Sequence, residues 1–122
     1  MAIHNTTGKK GEQLAVEYLI TAGYTIRETN WKSGRLELDI VAQKDSLLII
    51  VEVKTRNNVL YEHPEDAVTE QKIKKIIAAT EAYIRMYDIP LEVRFDIISV
   101  VNIGSQPVID HIQDAFYPPL KK

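Results

Sequence analysis

No cysteine occurs in the 122 residues, which excludes disulfides and thiolate metal sites and fits a reducing compartment. Long apolar runs are missing too. The longest, residues 47–51 (LLIIV), is far too short to span a bilayer, and the residues after Met1 form no apolar signal core. A cytoplasmic protein without a membrane segment is the expectation. Charge of one sign is scarce: 15 Lys and Arg face 17 Asp and Glu, for a net charge of -2. A polyanionic partner would therefore have to meet a local basic face rather than the whole surface. There is no internal repeat, low-complexity tract or Pro/Gly/Ser-rich linker, so a single domain over residues 1–122 is expected. Hydrophobic residues at 45% and charged residues at 26% are ordinary for a globular chain able to bury one modest core.

What is present reads as alternating helices and strands. From about Lys9 to Ala22, Leu14, Ala15, Tyr18, Leu19 and Ala22 share one helical stripe. Thr6 or Thr7 is placed to cap its start and Gly23 to stop it in the left-handed conformation. A short extended piece, Tyr24 to Trp31, follows. Leu36 to Ala42 alternates, with Leu36, Leu38 and Ile40 on one side and Glu37, Asp39 and Val41 on the other. Leu47 to Lys54 is apolar until Glu52, as in a central strand covered on both faces. Only Gln43, Lys44, Asp45 and Ser46 separate the two, which predicts a hairpin. After a loop over residues 57–64, the spacing predicts a helix from about Thr69 to Tyr87. Its buried stripe is Ile73, Ile76, Ile77, Thr80, Tyr83, Ile84 and Tyr87, and Pro90 marks its end. Strands Leu91–Val101 and Val108–Ile112 complete the order helix, strand, hairpin, helix, strand, strand. That order predicts an α/β fold, a central mixed sheet flanked by helices.

The hairpin register decides where the charges fall. A two-residue turn at Lys44-Asp45 makes paired positions sum to 89, and one at Asp45-Ser46 makes them sum to 91. Both sums are odd, so Glu37 and Asp39 share a face with Glu52 and Lys54, whereas a three-residue turn would separate them. Three carboxylates and one ammonium on a largely apolar hairpin are unfavourable without compensation. A hard divalent ion, Mg²⁺ or Mn²⁺, held by Asp39 and Glu52 would remove that penalty and could activate water against a phosphodiester, with Lys54 beside it. A solvated antiparallel face with ordinary ion pairs accounts for the same spacing, and the residues alone leave both readings open. Glu12 lies inside the apolar arc of the first helix, where an acidic residue needs a partner. The metal or Lys54 could supply one, and a frayed first turn favoured by the helix dipole is the simpler account.

These residues together resemble a known family. Gly11-Glu12, Ala15, Tyr18-Leu19, Gly23-Tyr24, Asn30-Trp31, Gly34, residues 37–42 (ELDIVA) and residues 51–56 (VEVKTR) are similar to the bacterial YraN (UPF0102) family. Residues 64–68 (PEDAV), Lys72, residues 94–96 (RFD) and residues 109–116 extend the likeness over nearly the whole chain. The resemblance implies a restriction-endonuclease-like fold, similar to archaeal Holliday-junction resolvases, with a PD-(D/E)xK-type site. On that pattern Asp39 and Glu52 are the metal carboxylates, Lys54 the catalytic lysine and Glu12 the acidic residue of the first helix. Leu38 stands where the motif's proline would be, which leaves the ligands intact. Glu37 could be an outer partner of the metal or of a basic residue.

The resemblance also places Arg56 and Lys72 near the site as phosphate contacts, whereas Lys74 and Lys75 read as a solvated helix face. Arg35 is a further candidate. Trp31 could stack on a base but fits a core position better. Asp96 suits a buried partner for Arg94 or Lys54, and His4, His63 and His111 look isolated. The expected function is a divalent-metal-dependent nuclease acting on DNA, branched and single-stranded forms included, with a homodimer expected by analogy. A non-catalytic nucleic-acid binder of the same fold and a protein-interaction domain with an acidic face are the alternatives.

Overall fold

In the computed structural model the described residues are 4–56, 68–101 and 106–118, with backbone only over 4–8. The loop expected over 57–64, residues 64–67 of the family pattern, His63 and the His4 side chain lie outside the described residues. The elements run α1 (His4–Thr21), β1 (Thr25–Ser33), β2 (Leu36–Lys44), β3 (Leu47–Arg56), α2 (Glu70–Tyr87), β4 (Glu92–Val101) and β5 (Val108–Ile112). They form one mixed sheet in the order β1-β2-β3-β4-β5. The architecture is α/β, of restriction-endonuclease-like form.

The all-apolar β3 takes the central place its sequence predicts. It pairs antiparallel with β2 and parallel with β4. Parallel neighbours need a long crossover, and α2 lies within it. β3 carries apolar side chains toward both faces of the sheet. Leu48 and Ile50 join Ile76, Ala79 and Tyr83 of α2, while Ile49 and Val51 join Ala15 and Leu19 of α1. Trp31 is core, packed edge-to-face on Tyr83 at 5.2 Å between ring centroids.

Helix ends follow local chemistry. Gly23, at φ 96°, ends α1 in a Schellman arrangement: the Tyr24 N–H donates to the Leu19 carbonyl and the Gly23 N–H to that of Ile20. Thr69 caps α2, its side chain accepting from the Lys72 N–H. Two expectations are corrected. α1 begins at His4, so Thr6 and Thr7 lie within the helix rather than at its cap. Tyr87, in the last turn of α2, is 42% exposed, and Ala79 is a buried core residue of that helix.

His111 is not isolated. Asp96, fully buried on β4, pairs with both Nε and a terminal nitrogen of Arg94 at 2.9 Å and with His111 Nε2 at 2.7 Å, and accepts the Asp114 N–H. The Tyr18 hydroxyl meets His111 Nδ1 at 3.0 Å, and Arg94 donates to Tyr24. Burial alone would push the Asp96 carboxyl up, but the bonds from His111 and Arg94 hold it below its ordinary value. The network ties α1, β4 and β5 together beneath the apolar layer. Asp96 thus partners Arg94, as one reading of the sequence expects, and not Lys54. Replacing Asp96 with Ala would leave the Arg94 guanidinium, 15% exposed, without its carboxylate. A loss of about 3–5 kcal/mol in unfolding free energy by urea titration is expected.

Candidate active site

The Asp45-Ser46 turn gives the register summing to 91, from Lys44↔Leu47 to Ile40↔Val51. Beyond Ile40↔Val51 the main chains stop pairing, although β2 keeps pairing with β1 as far as Ser33↔Leu36. The Val53 N–H, one step further along β3, is taken instead by Asp39 Oδ2 at 2.9 Å. A carboxylate has replaced a backbone carbonyl in the sheet, and β2 and β3 part around it.

The parting breaks the pleat. Leu38 packs in the α2-side cluster and Ile40 in the α1-side cluster, although two positions apart on one strand should share a face. On β1, Asn30 stands opposite Asp39 between the pairs Thr29↔Ile40 and Trp31↔Leu38, with φ 51°. The uninterrupted alternation expected for Leu36, Leu38 and Ile40 is therefore corrected: a left-handed residue in the neighbouring strand turns both chains at this point. Register brings Asp39 and Glu52 together as expected, with Asp39 bonded toward β3 rather than standing as one of a row along the sheet face.

The space between the parted strands and the start of α2 is a cleft of about 320 Å³, lined by acidic Glu37, Asp39 and Glu52 and by basic Arg35, Lys72 and Lys75. Lys75 is exposed, as a solvated helix face requires, and also borders the cleft. Glu52, 7% exposed, is paired by Lys72 Nζ at 2.6 Å. Lys54, half-buried on β3, lies in the fields of Glu52, Asp39 and Lys72. Glu12 reaches the same group from α1, in the fields of Glu37 and Glu52, and its Oε1 is buried without a hydrogen-bond partner. Arg56 follows on β3, two residues beyond Lys54, and its side chain is engaged with neighbours. Glu12, Asp39, Glu52, Lys54 and Lys72 are linked to one another by contact or by direct electrostatic influence. Arg35 borders the cleft from the turn between β1 and β2, and Lys75 is brought to it by α2.

The electrostatics are those of crowded carboxylates. Burial first, then the Glu52 charge, pushes the Asp39 carboxyl up to about 7, while the Val53 N–H pulls it down. Glu12 is also raised, chiefly by burial. Lys54 is lowered by burial and by the Lys72 charge; at Lys72 burial pulls down most strongly, but the bond to Glu52 together with the charges of Glu52 and Asp39 turns the net direction upward. Among the described residues no group of three or more His, Cys, Asp or Glu side chains is placed to hold a metal ion. Asp39 and Glu52 remain a pair suited to a hard hydrated ion, which needs only one or two carboxylates and completes its shell with water and phosphate oxygens. The orphaned Glu12 oxygen could accept from such a water.

A raised folded-state carboxyl makes stability fall as pH rises. Asp39 is protonated in both folded and unfolded chains well below its ordinary value of 3.8, and between there and about 7 only the folded chain keeps the proton. Asn at this position retains an acceptor for Val53 and carries no charge. Asp39→Asn should match the wild type near pH 3 and be more stable by up to about 3 kcal/mol above pH 7 without divalent ions. Chemical denaturation across the pH range measures the difference.

The sequence profile described as "Uncharacterised protein family UPF0102" matches residues 11–100, from within α1 nearly to the end of β4. A UPF0102 protein of Phocaeicola vulgatus is 53% identical over 120 residues, covering 98% of this chain and 99% of its own. One from Bacteroides thetaiotaomicron shows the same identity and coverage. A third, from Flavobacterium psychrophilum, is 47% identical over 117 residues, 96% of this chain and 98% of that one. No helix among the described residues is long and apolar enough to cross a membrane. The chain belongs to the UPF0102 family.

Proposed function

We propose that the cleft hydrolyses phosphodiester bonds in DNA, with Mg²⁺ or Mn²⁺ at Asp39 and Glu52. The observation that carries this reading is the pair itself: two carboxylates with mutually unfavourable fields, one pushed up to about 7 and the other 7% exposed, opposite a wall of Arg35, Lys72 and Lys75. A bound divalent ion supplies an acidified water and charge neutralisation at the phosphate. The remaining tasks belong to the chain. Asp39, anchored by the Val53 N–H, is held in one orientation. Lys54, with its ammonium destabilised by burial, can hydrogen-bond a phosphoryl oxygen or orient the attacking water. Glu12 can accept from that water through its unpartnered oxygen. Lys72 and Arg56 contact flanking phosphates, which position a strand without reading its sequence. The resolvase likeness favours branched or single-stranded DNA, a homodimer and a cytoplasmic setting.

One observation favours a second reading. Lys72 already neutralises Glu52, and a site balanced by its own lysine could bind nucleic acid without cutting it. Incubating junction, flap, single-stranded and duplex DNA with Mg²⁺ or Mn²⁺ separates the two. Cleavage is expected, reduced about 100-fold or more in Asp39→Asn and in Glu52→Gln. Cleavage undiminished in both variants would remove the site from the reaction, and metal-independent binding without cleavage would establish the second reading.

A further inference from the structure

Glu52 is nearly inaccessible to water, its side chain 9% exposed, so its charge depends on a partner. The partner arrives from outside the sheet. Lys72 stands in the first turns of α2, with its side chain 43% exposed, and reaches Glu52 Oε2 at 2.6 Å. There it also meets Lys54 and feels Asp39. Two ammonium groups are thus drawn together over two carboxylates, an arrangement that balances in charge but opposes like charges at close range. Counted over these four groups, a divalent ion between Asp39 and Glu52 would add two positive charges beside the two ammonium groups, a setting matched to anionic phosphate. One ammonium must then give way. Lys54 stands on the same strand as Glu52, whereas Lys72 reaches in from α2 on a long, half-exposed stem beside a cleft of about 320 Å³.

Resting on the metal-site reading above, we infer that Lys72 is a resident counter-ion of Glu52 that a divalent ion displaces and a substrate phosphate then receives. The Lys72–Glu52 pair holds the carboxylate in place while no ion is bound. It also sets a threshold for loading, because the ion has to compete with it. The same side chain adds a phosphate contact once loading has occurred, so ion and nucleic acid favour each other's binding. Lys72 is a positioning residue in this scheme and touches substrate only in the loaded cleft.

The test follows Mn²⁺ binding to the full chain by calorimetry or by the electron paramagnetic resonance of unbound ion, with no DNA present. Wild type is expected to bind Mn²⁺ and Glu52→Gln to lose it. Lys72→Met should bind roughly five- to tenfold tighter than wild type, and Lys72→Arg, which restores the pair, should return close to the wild-type value. Binding of a single-stranded oligonucleotide in Ca²⁺ should move the other way in Lys72→Met, weaker and with a salt slope reduced by about 1. A merely structural lysine would lower both affinities together. Unchanged or weaker Mn²⁺ binding in a folded Lys72→Met, with Glu52-dependent binding intact in wild type, overturns the exchange and leaves the metal site standing. Absence of Mn²⁺ binding in wild type overturns both. Should Lys72→Met not fold, the ε-carbon resonance of Lys72 in the wild type serves instead: Mg²⁺ should shift it, and a resonance unmoved at saturating Mg²⁺ rejects displacement.

Discussion

The hydrogen bond from the Val53 amide to the Asp39 carboxylate is the constraint around which the candidate site is organised, because a sheet cannot open without finding partners for the amides it exposes. β2 and β3 pair regularly from the Asp45-Ser46 turn to Ile40↔Val51 and then separate. The amide that would be orphaned by the separation is met by a side chain. The same bond orients Asp39 and opens the cleft in which Glu52 is reached from α2. Asn30, left-handed on the adjoining strand, turns β1 with β2 and keeps that pairing intact through the bend.

Burial then sets the chemistry. Asp39 and Glu52 sit at the rim of an apolar sheet, where repulsion between like charges is poorly screened and each proton or cation counts. The upward shift of Asp39 and the short Lys72–Glu52 contact are two expressions of poorly screened carboxylates, whereas Lys54 is lowered because burial and the neighbouring Lys72 disfavour its ammonium. Asp96 illustrates the contrasting solution on the same sheet. It is removed further from water than Glu52 or the half-buried Asp39, but it is surrounded by Arg94, His111 and the Asp114 amide, and its carboxyl is held low. One buried acid is fully satisfied and ties elements together. The other pair is left under-compensated at an accessible cleft.

The sheet keeps these two arrangements apart. Glu52 shares the α2-side parity of Leu48 and Ile50, and Asp96 shares the α1-side parity of Ile98 and Val100. Glu12 is the exception that joins the layers. It comes from the α1 side yet feels Glu37 and Glu52, across the region where β2 and β3 no longer close the sheet.

Much of this was legible along the chain, for local reasons. The apolar run of β3 demanded a central strand, the spacing of Ile76, Thr80 and Tyr83 demanded an amphipathic helix, and an odd register sum was enough to bring Asp39 to Glu52. Period, turn length and parity are properties of neighbouring residues and survive without a tertiary frame. Tertiary structure alone decided the rest. The break in the pleat at Asp39 depends on a strand partner, Asn30, and on an amide 14 residues away. His111 gains its role from Asp96 and Tyr18, distant in sequence. Lys75 reaches the cleft only through the docking of α2 on β2. Short-range pattern settled which residues could be charged neighbours on the hairpin; long-range packing settled which of those charges are left without enough compensation, since that depends on what the whole fold removes from water.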